Sequence, residues 1–290
     1  MLLDIGATLE KVSEISAAAA RDGAQFVLFP EAFVGGYPRG LSFGCVVGDR
    51  SEEGRELWLQ YSQACPIVDG PEIERLGAVA AENKIWLVIG VIEREVGGSL
   101  YCSIMYFSPD GKLAGRHRKL KPTASERLIW SDAQAKDSLA AVDTAFGKVG
   151  GLICWENYMP LSRMALYQQG VEIYVAPTAD QRDRWMNSMI HIALEGRCFV
   201  LSANQYVTKS SYPKTLQEHS DLQNMPEVLC RGGSLMIGPM GNVIAEPLWD
   251  QAGVLFADLD LDEIQKAKMD FDVVGHYARS DVFDFAIRDR

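Results

Sequence analysis

The chain has 290 residues, 48% hydrophobic and 23% charged, with a net charge of 28 − 39 = −11 at pH 7. This is the composition of an ordinary soluble globular protein, long enough to bury a large core. Its acidity excludes both a phosphate-neutralising nucleic-acid surface and a polybasic membrane patch.

The N-terminal MLLDIGATLEKV has no basic region followed by a long apolar stretch, so no secretory signal is predicted. Residues 8–22 (TLEKVSEISAAAARD) carry helical apolar spacing, with Gly23 as the stop. QFVLFPE reads as a short buried strand ending at Pro30-Glu31. A second helix is predicted over 71–83, with proline at its first position. KIWLVIGVIE is a buried strand, and LYCSIMYFSPDGKLAGRHRKL is a hairpin turning at Pro-Asp-Gly. VGGLIC is a strand leading into Cys154, followed by a helix over 160–169 and the strand VEIYVAP. A longer helix over 182–195, the strand CFVLSANQ and the hairpin GGSLMIGPMGNVIAE come next. Between them, residues 207–229 read as a long polar loop, of a length that is functional or mobile when found in a compact domain. The strand VLFADLDL and the helix DEIQKAKM close the regular part. Nowhere is there an apolar run long enough to cross a bilayer. Alternating helices, strands and hairpins, without repeat or linker, predict one α/β domain over residues 1–290.

The six cysteines (45, 65, 102, 154, 198, 230) show no CxxC spacing, which argues against a disulfide framework or a zinc site and for the reducing cytosol. Three reactive residue types end three apolar strands: Glu31, Lys119 and Cys154. Ligand sites in α/β folds gather at such strand ends. A lysine near a thiol favours thiolate, and a carboxylate within reach takes the thiol proton. Singly, each has a plainer reading. Cys154 is a small buried hydrophobe, Glu31 a capping or surface carboxylate, and Lys119 part of the basic strand edge RHRKLK. His191, in MIHIALEG, reads as a packed core histidine, and His276, in VGHYAR, as a packing residue. No Cys–His protease context and no dinucleotide fingerprint are present.

FPEAFVGGYPRG (29–40), HRKLKPTASERLIW (117–130) and GLICWENYMPL (151–161) resemble, in order, the three signature blocks of the nitrilase, or carbon-nitrogen hydrolase, superfamily. ALYQQGVEIYVAPTAD, HIALEGRCFVLSANQ, GGSLMIGPMGNVIAEP and VGHYARSDV extend the resemblance over nearly the whole chain, and it is nearest to the true nitrilases. It implies a four-layer α-β-β-α sandwich. It implies that Cys154 is the nucleophile, Glu31 the general base, Lys119 the catalytic lysine and Glu126 a second, positioning glutamate. Trp155 follows the nucleophile, so its backbone N–H is a candidate substrate-binding donor for developing negative charge. Glu156 and Asn157 are expected to hold the turn after Cys154, and Lys121 is given no role.

The implied reaction is hydrolysis of a small-molecule nitrile to acid and ammonia, with neither metal nor organic cofactor, in a cytoplasmic homo-oligomer. The alternatives are an amidase or nitrile hydratase on the same centre, or an inactive scaffold; CWENYMP favours the nitrilase over the amidase branches. The chain departs from the family pattern in two places. The strand that usually precedes the first helix is not found in residues 1–290, and Trp130 is followed by SDAQAKDSL where family members carry a glycine-rich segment.

Overall fold

A computed structural model describes residues 2–288. Helix α1 (Ile5–Arg21) starts where the Asp4 carboxylate accepts the Ala7 N–H at 2.9 Å, and it buries Thr8, Val12, Ser16 and Ala19 along one stripe. Strand β1 (Phe26–Leu28) follows, then a minimal hairpin, β2 (Cys45–Val46) and β3 (Asp49–Arg50). Helix α2 (Glu52–Gln63) is an element that the periodicity did not predict. Its signals are a Ser51 N-cap, acidic residues in the first turn, and buried Leu57 and Tyr61 four apart. Helix α3 (Pro71–Asn83) begins on its proline as expected.

Strands β4 (Trp86–Arg94), β5 (Leu100–Phe107) and β6 (Leu113–Arg118) form an antiparallel meander. Then come β7 (Ala141–Thr144), β8 (Gly147–Gly151), α4 (Pro160–Gln168), β9 (Ile173–Val175), α5 (Arg184–Gly196) and β10 (Phe199–Ser202). The stretch read as a loop over 207–229 is in fact structured. It contains most of β11 (Tyr206–Thr208) and the short helices α6 (Lys214–Gln217) and α7 (Ser220–Gln223), and runs into β12 (Val228–Ile237). Strand β13 (Val243–Trp249) and helix α8 (Asp262–Asp270) complete the regular elements.

The strands form two large sheets. One has the order β1-β4-β5-β6; the other runs β11-β12-β10-β9-β8-β7, with β13 paired to β12. Alternation along β4 shows how they stack. Leu87, Ile89 and Val91 pack against α1 and α3, while Trp86, Val88 and Ile92 face the second sheet. In β10, Phe199 and Leu201 face the first sheet and Val200 faces the layer of α4 and α5. The central strands of both sheets are therefore buried on both faces, which explains their continuous apolar runs. The resulting order of layers is helix, sheet, sheet, helix.

The predicted strand VLFADLDL is corrected: residues 254–261 form no strand, and Val254 and Phe256 are about half exposed. The physical reason is the lack of a partner. A cleft of about 1000 Å³ lies between these residues and β1, which pairs only with β4, and Phe26, Leu28, Phe146, Phe256 and Leu259 are among its lining.

Candidate active site

Glu31 follows the end of β1, where the chain bends through Ala32 at a φ of 51°. It passes so close to β4 that a Cβ on Gly90 would lie 2.7 Å from the Glu31 Cα, so Gly90 is what lets the carboxylate enter the core. Lys119 ends the β6 edge, its N–H bound to the Cys102 carbonyl at 2.7 Å. Glu126 sits in a 3-10 turn (Ala124–Leu128) closed by a capping box with Thr123. Cys154 opens another 3-10 turn (Cys154–Tyr158) beyond β8, in the left-handed region at a φ of 51°. Non-glycine residues avoid that region, and such strain concentrates at functional sites.

The fold brings the four predicted side chains together and takes them out of water. Glu31 and Lys119 are each 1% exposed, Cys154 5% and Glu126 8%. The Lys119 ammonium donates to Glu31 Oε1 at 2.7 Å and to Glu126 Oε2 at 2.8 Å. Glu126 also accepts the Tyr37 hydroxyl at 2.7 Å and the Thr123 N–H at 2.6 Å. Trp130 lies beside the ammonium, its ring centroid 5.8 Å away. Gln205 fixes the Glu31 backbone, donating to its carbonyl at 2.8 Å. The second Glu31 oxygen, Oε2, is buried without a hydrogen-bond partner among the described residues.

Burial pushes the Glu31 carboxyl above its usual range, and the positive charge of Lys119 only partly offsets this. For Lys119, burial works downward, but the negative charges facing it from Glu31 and its neighbours outweigh burial and hold the ammonium charged. Burial and then the Glu31 charge push the Cys154 thiol up to about 12, against the opposing pull of Lys119 and a hydrogen bond with Thr178. A thiol kept protonated beside a carboxylate that readily takes a proton, with a fixed cation next to both, suits base-assisted nucleophilic attack.

Trp155, the second residue of its 3-10 turn, has no acceptor for its N–H within that turn. The residue is 42% exposed, and its indole donates to Asp180 at 3.0 Å. Burial raises the Asp180 carboxyl, but hydrogen bonds from Arg182 and Trp155 more than reverse that and hold it low. Asn157 supports the turn by donating to the carbonyls of Cys154 at 2.8 Å and Leu152 at 3.0 Å.

Two histidines depart from expectation. His191 is not packed in the core; its side chain is 65% exposed. The buried stripe of α5 runs through Trp185, Met189, Ile192 and Ala193, which turns position 191 to solvent. His276 is also exposed, edge-on to Tyr277 at 5.1 Å. The buried histidine is instead His117, which lay inside a signature block but was not singled out. Tyr37, Thr178, Asp180 and Gln205 were missed too. Tyr37 belongs to FVGGYPRG, Thr178 and Asp180 to ALYQQGVEIYVAPTAD and Gln205 to HIALEGRCFVLSANQ, but nothing in those segments says which side chain turns to the site; folding decides that. Among the described residues, no group of three or more His, Cys, Asp or Glu is placed to hold a metal ion, and no helix is long and apolar enough to cross a membrane.

Comparison with known proteins agrees with this arrangement. The carbon-nitrogen hydrolase family model matches residues 1–269. A bifunctional nitrilase/nitrile hydratase of Lupinus angustifolius is 49% identical over 99% of this chain and 82% of its own length. An aliphatic nitrilase of Sinorhizobium fredii is 49% identical over 98% of this chain and 91% of its own. Among solved structures, a carbon-nitrogen hydrolase from Helicobacter pylori superposes with a TM-score of 0.73 at 17% identity, covering 95% of this chain and 91% of that one. A Nesterenkonia amidase, captured with acrylamide added to its active-site cysteine, gives 0.66 at 19% identity, covering 93% of each chain. At those identities the structures speak for the fold, the nitrilase-superfamily sandwich, while the family match and the closer relatives extend over nearly the whole sequence. The chain belongs to the carbon-nitrogen hydrolase family.

Proposed function

We propose that the protein is a nitrilase, hydrolysing a small organic nitrile to the carboxylic acid and ammonia through a covalent adduct on Cys154. The observation that carries this reading is the buried cluster in which Lys119 bridges Glu31 and Glu126 beside the Cys154 thiol. Glu31 takes the thiol proton as sulfur attacks the nitrile carbon. The nitrogen, gaining negative charge, is met by the Lys119 ammonium and the Trp155 N–H and is protonated, giving a thioimidate. Glu31 then activates a water that adds to the same carbon, and ammonia leaves behind a thioester. A second water, activated in the same way, releases the acid and restores the thiol. The sum is R–C≡N + 2 H₂O → R–COOH + NH₃. Glu126 holds the ammonium in place and is itself held by Tyr37 and Thr123.

A carboxylate whose pKa is raised by burial is suited to accept and return a proton in turn. The protein is further proposed to act as one domain, without metal or organic cofactor, in a cytoplasmic homo-oligomer; the six cysteines, all free, accord with a reducing compartment. Several relatives, the Lupinus angustifolius protein among them, bear names that join nitrilase with nitrile hydratase, so acid and amide are both to be measured. The test is ammonia release from a panel of small nitriles, with acid and amide quantified, for the native protein and Cys154→Ser. Ammonia and acid that vanish in the variant support the reading. Amide without ammonia makes the protein a hydratase, and no turnover of any nitrile refutes both.

A further inference from the structure

Lys119 and Cys154 belong to different sheets, so something must set the distance between them. The Glu156 side chain, fully buried, lies at that junction. Its Oε1 accepts the N–H of Leu120, the residue after Lys119, at 2.6 Å. Its Oε2 accepts the N–H of Ile153, the residue before Cys154, at 2.8 Å. The same oxygen lies 2.9 Å from Nε2 of the buried His117. The Leu139 N–H donates to His117 Nδ1 at 2.9 Å, so the ring proton sits on Nε2 and points at Glu156. Asn157 braces the Cys154 turn locally, to Leu152 and Cys154, and does not reach the lysine strand. Glu31 links the two side chains, accepting from Lys119 at 2.7 Å and meeting the Cys154 thiol, whereas Glu156 holds the backbone beside each.

We propose that Glu156 is a positioning residue that sets the separation of Lys119 from Cys154 by holding the backbone beside each, and that His117 orients it. The inference rests on the proposed nucleophilic role of Cys154. A carboxylate suits the task because it only accepts, and three donors converge on it. Glutamine of the same shape turns one end into a donor, which opposes at least one of those N–H groups and pushes the two segments apart. Small displacements of this kind lower rates without abolishing binding.

The test compares native protein, Glu156→Gln, His117→Ala and His117→Gln. Steady-state kinetics on a nitrile substrate are read beside the rate of Cys154 alkylation by iodoacetamide, followed by mass spectrometry across pH, with far-UV circular dichroism as the check on folding. Glu156→Gln should lower kcat by about 30-fold or more while KM changes less than about threefold, and should slow alkylation at pH 8 by about tenfold. His117→Ala should act in the same direction by about three- to tenfold, and His117→Gln, which keeps a donor towards Glu156, should recover to within about twofold of native. Variants that melt earlier but keep native kcat per folded site and native alkylation overturn the proposal, leaving Glu156 as scaffold alone. If Glu156→Gln does not fold, equal native behaviour of the two His117 variants overturns it. Alkylation does not require turnover, so failure of the nitrilase reading would leave this series decisive.

Discussion

Replacing Cys154 by alanine and, separately, by glycine would measure the strain stored at the nucleophile. Both variants lose the sulfur, so its contribution cancels between them. Alanine keeps a Cβ at a φ of 51°, in the left-handed region, which costs an L-residue about 1–2 kcal/mol. Glycine escapes that cost but forfeits a buried carbon, about 0.8 kcal/mol, and loses more backbone freedom on folding, about 0.5–1 kcal/mol. The terms oppose each other, and the two variants should unfold within about 0.8 kcal/mol of each other. Ala193 supplies the control, being fully buried in α5 and not among the residues with positive φ. There the two penalties of glycine act without relief, and Ala193→Gly should cost about 1.5 kcal/mol or more. Urea titrations followed by circular dichroism, with slopes compared to exclude a change in the unfolded state, give each value. A Cys154→Gly protein about 1.5 kcal/mol or more below Cys154→Ala would show that the turn stores no strain and refute the reasoning.

Lys119→Met would leave Glu31 and Glu126 buried together without their shared cation, a change worth about 3–5 kcal/mol at pH 8. The sign with pH follows from Glu31, whose folded value burial already raises above 4.5. The neutral carboxyl is the form the fold tolerates, so the variant's stability should be kept near pH 4.5 and lost as pH rises through the folded value. Equal losses at pH 5 and pH 8 would contradict this. Glu31→Gln should lower kcat by about 10²–10⁴-fold, with KM little changed, because it removes the proton acceptor while keeping the shape; steady-state kinetics on a nitrile that the native protein turns over would check it, and a loss confined to KM would not fit. For Cys154, the shift from 9.0 to about 12 makes ionisation harder by about 4 kcal/mol. The difference in thiolate absorbance between native protein and Cys154→Ala should therefore stay flat from about pH 7 to 9.5; a titration centred near 8.5–9 would mean an ordinary thiol.

Much of the molecule was legible from local pattern. Pro71 opening a helix, Pro-Asp-Gly turning a hairpin, and apolar runs for strands buried on both faces are properties of short segments. The reactive residues were legible because each lies just beyond a strand inside a recognisable block. Helix α2 went unread although its Ser51 cap, acidic first turn and Leu57/Tyr61 spacing are local signals, and the stretch after β11 was obscured by short helices that depend on packing. VLFADLDL shows the limit from the other side: an apolar run becomes a strand only if another strand lies beside it, and its neighbour here is a cleft. What the tertiary structure alone decided is which distant groups meet. Tyr37 reaches Glu126 across 89 positions, Gln205 holds Glu31 across 174, and His117 meets Glu156 across 39. Burial is equally non-local. The protonation preferences of Glu31 and Cys154 come from the desolvation and charges that packing imposes around them, which no spacing along the chain expresses.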